Sequence, residues 1–155
     1  MKARMKKTVL AAATVFVLIQ FIQPARNESG QVLDSDISKA LDVPERVQGI
    51  LARSCFDCHS NNTHYPWYTY IQPSGWFMAY HVRNGKEKLN FSEFGAYSKR
   101  RQRSKLESIG KQIETGEMPL PSYLLLHRNA TLLPSEKDLI VNWANDSRDS
   151  LTTNH

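Results

Sequence analysis

Two cysteines and a histidine stand close together at Cys55, Cys58 and His59, and the chain has no other cysteine. On a helix, residues three and four positions apart share one face, so both thiols and the imidazole can reach the same partner. The pattern Cys-x-x-Cys-His is the attachment signature of c-type haem, in which the thiols add to the two vinyl groups. The sequence therefore predicts one covalent haem c, bound through Cys55 and Cys58, with His59 as the proximal iron ligand.

Three other interpretations of the cysteine pair fit less well. A redox dithiol belongs near a βαβ pattern, and none is present. A structural zinc site needs four ligands, but there is no second cysteine pair and no zinc-finger spacing of histidines. A disulfide between residues three apart would close a very small loop and add little constraint to the unfolded chain. Covalent haem is the interpretation that we adopt.

The sixth iron ligand has three candidates. Met118 precedes Pro119 in an extended segment, and a methionine opposite a histidine is the usual arrangement in cytochromes c. His81 lies on a predicted helix and could instead bond a propionate or a loop. His64 is only five residues from His59, too near to reach the opposite face of the haem. The sequence predicts Met118 on the iron, with His81 as the alternative.

Several side chains are expected around the haem. The aromatic residues Trp67, Trp76 and Tyr123 are predicted to pack against the ring rather than to be redox-active. The basic side chains that might pair with the propionates are Arg53, Arg83 and Lys86, and the sequence does not choose among them.

The net charge of +5 does not indicate nucleic-acid binding. Residues 1–27 carry five basic residues and no acidic one, so the remaining 15 basic and 15 acidic residues cancel. A basic patch on the folded part would be needed for a nucleic-acid footprint. A chain of 155 residues is enough for one domain.

Residues 1–23 are predicted to be an N-terminal signal-anchor that forms a transmembrane helix. A basic start, residues 1–7, precedes an apolar run from Thr8 to Ile22. No small-x-small site follows the run, which favours retention over cleavage. Because basic residues stay in the cytoplasm, the haem domain is predicted to face the periplasm from the cytoplasmic membrane, on the side where c-type haem is attached.

The rest of the chain divides into a polar linker over 24–41, a haem-binding domain over 42–145 and a flexible tail over 146–155. Asp42-Val43-Pro44-Glu45 is a typical helix start, with Asp42 as cap and Pro44 in the first turn. Apolar residues at helical spacing then lead into the cysteine motif. The motif is therefore expected at the end of this helix.

Three more helices are predicted from apolar periodicity and end signals, and no strand-like alternation appears, so the predicted fold is all-α. Pro119 and Pro121 exclude a helix between Glu117 and Tyr123. Basic residues at 99–103 form either a solvated face, which we favour, or a docking surface for an acidic redox partner. The helices cover Pro73 to Arg83, ended by Asn84-Gly85; Ser98 to Thr115, stopped by Gly116; and a last one capped by Ser135, with Leu139, Ile140 and Trp143 buried.

These features resemble the class I cytochrome c plan, with a helix that ends in the haem motif, a Met-Pro loop and a C-terminal helix with an aromatic residue. More narrowly, the chain resembles the small membrane-anchored haem-binding domain family of bacterial c-type cytochromes. The resemblance implies haem c binding and electron transfer. It spans nearly the whole chain and rests on Gln20–Asn27, Cys58–Thr63 with Tyr65–Tyr68, His81-Val82 with Gly85, Leu89–Ser92, Gly116–Pro119 and the Trp143 helix.

The predicted function is single-electron transfer by a membrane-anchored c-type cytochrome. No general acid–base constellation is visible, so the chain is not predicted to be an enzyme. One alternative is a haem-based sensor or peroxidase-like protein with an openable sixth iron position. Another is a non-haem membrane-anchored binding protein with a structural cysteine pair. The redox partners cannot be named from the sequence.

Overall fold

Eight α-helices and three 3-10 turns make up the described part of the chain, residues 2–153, in a computed structural model. Within these residues no strand forms, and the predicted all-α fold is confirmed. The helices are α1 Lys2–Ile19, α2 Ile37–Ala40, α3 Glu45–Ser54, α4 Phe56–His59, α5 Ser74–Lys88, α6 Lys99–Glu114, α7 Pro121–Leu124 and α8 Pro134–Thr153; the 3-10 turns are Trp67–Tyr70, Phe91–Ala96 and Arg128–Ala130.

Helix α6 supplies the central apolar face of the core. Leu106, Ile109 and Ile113 recur at helical spacing and are buried. The Ser98 side chain accepts an amide hydrogen bond from the first turn, and Gly116 turns the chain after the last turn with a φ of 74°. The predicted stop at Gly116 therefore works as expected, and Ser98, predicted only as the start of the helix, also caps it.

Helix α8 packs against α6 and closes the core. Ile140 and Trp143 are buried, as predicted, and the Trp143 indole donates a 3.0 Å hydrogen bond to the Asp42 carbonyl. The helix continues to Thr153, and Leu151 is only 9% exposed. The segment predicted as a flexible tail is therefore helical through residue 153, because Leu151 extends the buried stripe by another two turns; residues 154 and 155 lie outside the described part.

The segment predicted as a polar linker, residues 24–41, is folded onto the domain. Ile37 is 1% exposed in the core, and the Asp36 side chain caps the short helix that Ile37 begins. Two backbone hydrogen bonds join residues 27–29 to residues 61–63, just after the cysteine motif. One buried isoleucine and paired backbone groups therefore order a stretch whose composition is polar.

Helix α1 has 18 residues and buries none of them. No helix within residues 2–153 is both long enough and apolar enough to cross a membrane, so the predicted transmembrane helix is not supported. The physical reason is charge near its start, where four basic side chains occupy residues 2–7. They leave an apolar stretch shorter than the roughly 20 residues that a span needs.

Glutamine contacts tie the chain after α1 to the domain. The Gln20 side chain accepts a 2.8 Å hydrogen bond from the Gln72 amide and donates to the Gln72 carbonyl at 3.3 Å. Gln23 accepts another from the Gln72 side chain at 2.9 Å. The Trp76 indole donates to the Ile22 carbonyl at 2.8 Å. Since Gln72 is fully buried, these bonds join α1 to the domain without a free spacer.

Helix α5 continues through Asn84-Gly85 to Lys88, so the predicted helix end at this dipeptide is wrong. A Cβ at Gly85 would clash with the carbonyl oxygen of Cys58 and would lie 3.2 Å from its Cβ. Glycine serves here for a close approach of two backbones rather than for a left-handed helix end. This contact sets α5 directly against the cysteine motif.

We expect Gly85→Ala to lower the free energy of unfolding by about 1–3 kcal/mol, the usual cost of forcing an extra group into a packed contact. Gly49→Ala is the matched control, because Gly49 lies within α3 with open space at its Cβ position. Alanine is the better helix former there, so stability should stay equal or rise. Urea unfolding followed by circular dichroism measures both variants. A Gly85 variant as stable as the parent chain would contradict the tight contact.

Candidate functional site

The cysteine motif forms a separate short turn, α4, rather than the end of one continuous helix. Cys55 has a φ of −130° and a ψ of −40° and breaks the helix between α3 and α4. The Cys58 and His59 amides then both donate to the Cys55 carbonyl, at 3.2 and 3.0 Å. The Asp42 side chain does not cap α3, which begins after Pro44 without a side-chain cap. The turn places both thiols and the imidazole on the wall of one cavity.

This cavity has a volume of about 510 Å³, within the range of small-molecule and cofactor sites. Its walls come from α4, from α5 and the segment after it, from one face of α6, and from the loop between α6 and α7. Apolar surface dominates the lining, as a flat aromatic cofactor requires. Apolar residues on the walls include Leu89, Phe91, Ile109, Ile113, Leu120 and Leu132.

His59 is oriented by one backbone carbonyl. Its Nδ1 lies 3.0 Å from the Leu89 oxygen, and because a carbonyl only accepts, Nδ1 carries the proton. Burial lowers the pKa of His59, which favours the neutral ring with an unprotonated Nε2. A metal-binding histidine commonly donates its other N–H to a carbonyl in this way. The predicted proximal ligand therefore has the tautomer that iron ligation needs.

The two thiols are protonated at neutral pH. Burial raises the pKa of Cys55 to about 12 and the pKa of Cys58 to about 11, whereas a redox-active dithiol has a lowered thiol pKa. Both cysteines are free. Within residues 2–153, no group of three or more His, Cys, Asp or Glu side chains is arranged to hold a metal ion. The raised thiol pKa values do not fit a redox-active dithiol.

Met118 lies in the loop between α6 and α7. The prediction that no helix forms between Glu117 and Tyr123 is wrong in part, because α7 begins at Pro121 and proline is tolerated in the first turn of a helix. After Gly116 turns the chain, the Met118 amide donates to the Gln112 carbonyl at 3.2 Å. Met118 is half-buried and lines the cavity. The structure therefore brings this predicted ligand to the same cavity as His59.

His81, the alternative ligand, also lines the cavity, from α5. Its ring centre lies 4.3 Å from that of Phe77 and 5.6 Å from that of Tyr80. Its Nε2 is buried and has no hydrogen-bond partner among the described residues. His64 is exposed and is not among the described residues that line the cavity. By their position in the cavity wall, Met118 and His81 are therefore both candidates for the sixth iron ligand.

Of the three aromatic residues expected against the haem, only Tyr123 lines the cavity in the described part of the chain. Trp67 is 74% exposed on its 3-10 turn, and Trp76 is 36% exposed. Trp76 precedes Gly85 by nine residues, which is two and a half helical turns. Because Gly85 faces the cysteine motif, Trp76 faces away from it, and haem packing by either tryptophan is a prediction that the structure corrects.

The basic residues considered for the propionates are engaged elsewhere. Arg53 pairs with a carboxylate on α8 at 2.9 Å, Lys86 donates to an asparagine side chain at 2.6 Å, and Arg83 lies over a tyrosine ring. Lys88 and Lys105 line the cavity instead. Burial, together with nearby basic charges, lowers the pKa of Lys105. An anionic group of a cofactor would be favoured beside these two ammonium groups.

The sequence analysis missed two features of the site. Lys105 precedes Ile109 by four residues and so shares its helix face, a spacing signal that would have identified it. Asp57 lies between the cysteines, and its Oδ2 accepts a 2.7 Å hydrogen bond from the Tyr123 hydroxyl. These two residues are 66 positions apart, and no local pattern connects them.

The cavity and its side chains fit a haem. The apolar walls suit the porphyrin, and the neutral His59 imidazole suits its iron. Two protonated thiols match two vinyl groups, and two lysines match two carboxylates. Cys55 and Cys58 would hold the ring edge, and Lys88 with Lys105 the propionates.

Fold and site together define a class, an all-α protein whose cavity presents two thiols and an imidazole to one cofactor. Residues 14–146 match the family described as the haem-binding domain. The chain belongs to this haem-binding domain family, which supports haem as its cofactor. No curated protein and no solved structure matches the chain.

Proposed function

We propose that this protein is a c-type cytochrome that binds one covalent haem through Cys55 and Cys58 and transfers single electrons in the periplasm. The observation that carries the proposal is the His59–Leu89 hydrogen bond of 3.0 Å beside two half-buried cysteines whose thiol pKa values are raised. It orients a neutral imidazole into an apolar cavity. A haem-binding domain over residues 14–146 supports the choice of cofactor.

The cofactor, when bound, supplies an iron that takes up and releases one electron. The protein's contribution would be to hold the iron through His59 and Met118 and to exclude water from the cavity. His59 would ligate from α4 and Met118 from the loop after α6, and a thioether favours the ferrous state. Apolar walls such as Phe91 and Ile113 keep solvent from the metal.

A second candidate function is a haem-based sensor or peroxidase-like protein in which the sixth iron position opens to a ligand. It is favoured by His81, which lines the cavity with a buried Nε2 that has no hydrogen-bond partner among the described residues. A high-spin spectrum with rapid binding of peroxide or carbon monoxide would support this alternative, and a low-spin spectrum would support electron transfer.

Covalent attachment is tested by replacing both thiols. We expect Cys55→Ala with Cys58→Ala to lose all haem in denaturing gels stained for peroxidase activity, because no thioether remains. The unchanged chain expressed without the haem-attachment machinery is the control. Holoprotein should be recovered outside the cytoplasm, where attachment takes place. Covalent haem retained in the double variant would contradict the proposal.

The sixth ligand is tested by Met118→Ala against His81→Ala. The Met118 change should abolish the weak near-infrared sulfur-to-iron band, lower the reduction potential and open the iron to added imidazole, since a soft ligand is lost. The His81 change should leave the band in place. The reverse pattern would show a haem ligated by two histidines.

The propionate contacts are tested by Lys88→Gln with Lys105→Gln. Loss of positive charge beside the cofactor favours the ferric form, so the reduction potential should fall by tens of millivolts, equivalent to about 1 kcal/mol. Lys111→Gln is the control, because Lys111 is exposed on the same helix and lies away from the cavity wall. Equal shifts for both changes would argue against a specific contact.

A further inference from the structure

We propose that Asp57 and Tyr123 act together as positioning residues that keep the loop carrying Met118 closed over the cavity. The inference rests on the proposed haem site and adds two residues that need not touch the iron. The hydroxyl of Tyr123 donates to Asp57 Oδ2 at 2.7 Å. One hydrogen bond thus connects the attachment turn on one wall of the cavity to the Met118 loop on the other.

Apolar packing alone holds this loop weakly. Helix α7, which follows Met118, has no buried residue. Beyond it, Leu125 and Leu126 are 77% and 67% exposed. A segment with so little buried apolar surface opens easily unless polar contacts fix it. Such contacts therefore determine where Met118 lies.

The loop is fixed at its two ends. At its start, the Met118 amide donates to the Gln112 carbonyl of α6 at 3.2 Å. At its end, the Tyr123 hydroxyl donates to Asp57. The first contact holds the loop to the core, and the second holds it to the turn that carries the cysteines. Loss of the second contact would remove the direct connection to the attachment turn and leave the loop held by α6 at its start and by the more distant His127–Tyr68 hydrogen bond beyond its end.

Asp57 is itself held in place. Its Oδ1 accepts the His64 amide at 2.9 Å, and its carbonyl accepts the Thr63 hydroxyl at 2.7 Å. Thr63 is buried. Because both carboxylate oxygens have partners and Asp57 lies directly before Cys58, the carboxylate is a fixed acceptor at the attachment site.

The ring of Tyr123 is held in place by the stacked ring of His127. His127 stacks on it with ring centres 4.0 Å apart and planes at 12°. The His127 Nδ1 donates to the Tyr123 carbonyl at 3.1 Å, which leaves Nε2 to accept from the Tyr68 hydroxyl at 3.1 Å. Burial, followed by the Asp57 carboxylate, raises the pKa of Tyr123. The hydroxyl therefore remains a donor at neutral and mildly alkaline pH.

The test compares Tyr123→Phe and Asp57→Asn with the parent holoprotein. Hydrogen exchange of the amides of residues 118–126 should accelerate about tenfold or more in Tyr123→Phe, the effect expected from losing a hydrogen bond to a charged group. Exchange in α6 and α8 should not change. Asp57→Asn keeps a neutral acceptor oxygen and should give a smaller acceleration. The double variant should exceed Tyr123→Phe only slightly.

Near-infrared spectra report on ligation of the iron by Met118. A purely structural role of the Asp57–Tyr123 contact would leave them unchanged. The sulfur-to-iron band should weaken in Tyr123→Phe, and added imidazole should bind faster. Tyr65→Phe is the matched control, because its half-buried hydroxyl also makes one hydrogen bond, at 2.9 Å to the Asn27 amide. Unchanged loop exchange in Tyr123→Phe, or equal acceleration in Tyr65→Phe, would overturn the proposal.

The two proposals fail in different ways. Absence of the band in the parent protein would reject Met118 as ligand, yet loop exchange would still report on the Asp57–Tyr123 contact. Complete absence of haem would reject the proposed function. The exchange comparison between Tyr123→Phe and the parent chain without haem would then show by itself whether the Asp57–Tyr123 contact holds the loop.

Discussion

The hydrogen bond between the His59 imidazole and the Leu89 carbonyl is the constraint on which the site depends. It keeps the proton on Nδ1 and leaves Nε2 unprotonated for a metal. The carbonyl can hold the imidazole in this way only if Leu89 is itself fixed. Hydrogen bonds of the neighbouring residue Asn90 fix the backbone there. The Asn90 amide donates to the Tyr97 hydroxyl, and its side chain both caps the next turn and donates to Asn61. A polar network behind the ring thus sets the direction of the imidazole.

The site combines an apolar interior with few charges, placed at its edge. Thiols buried with raised pKa values remain uncharged and so cost little to enclose. The basic groups Lys88 and Lys105 stay at the cavity wall, where water still reaches Lys88. An amphiphilic cofactor with a flat apolar body and acidic substituents matches this division. The same division explains why a hydrophilic ligand would find little to bond in the interior.

Sequence reasoning predicted the parts of this fold that depend on local signals. The α6 stripe from Leu106 to Ile113 follows from apolar periodicity, and the end of α6 follows from Gly116 directly after the last periodic residues. The predicted motif residues His59 and Met118 reach one cavity. What failed were inferences that needed tertiary context. Asn84-Gly85 is a helix-end signal locally, but Gly85 serves a close contact with a distant turn.

The same limit applies to side-chain direction. Trp67 and Trp76 are residues of the type that packs against haem, yet the direction of Trp76 depends on which face of α5 meets the motif, and Trp67 is exposed on its own 3-10 turn. The Asp57–Tyr123 bond spans 66 positions, and only the assembled fold brings its partners together. Ile37 shows the converse, because it is buried in the core although it lies in a stretch whose composition is mostly polar.

The glutamine contacts at the end of α1 have a consequence for orientation. Because Gln20 and Gln23 bond directly to the buried Gln72, the end of the first helix is tied to the domain at this junction. A partner that bound along α1 would therefore be held at a defined position relative to the cavity. In electron exchange, where the rate falls steeply with separation, such a rigid junction would favour a single geometry of approach over a search among many.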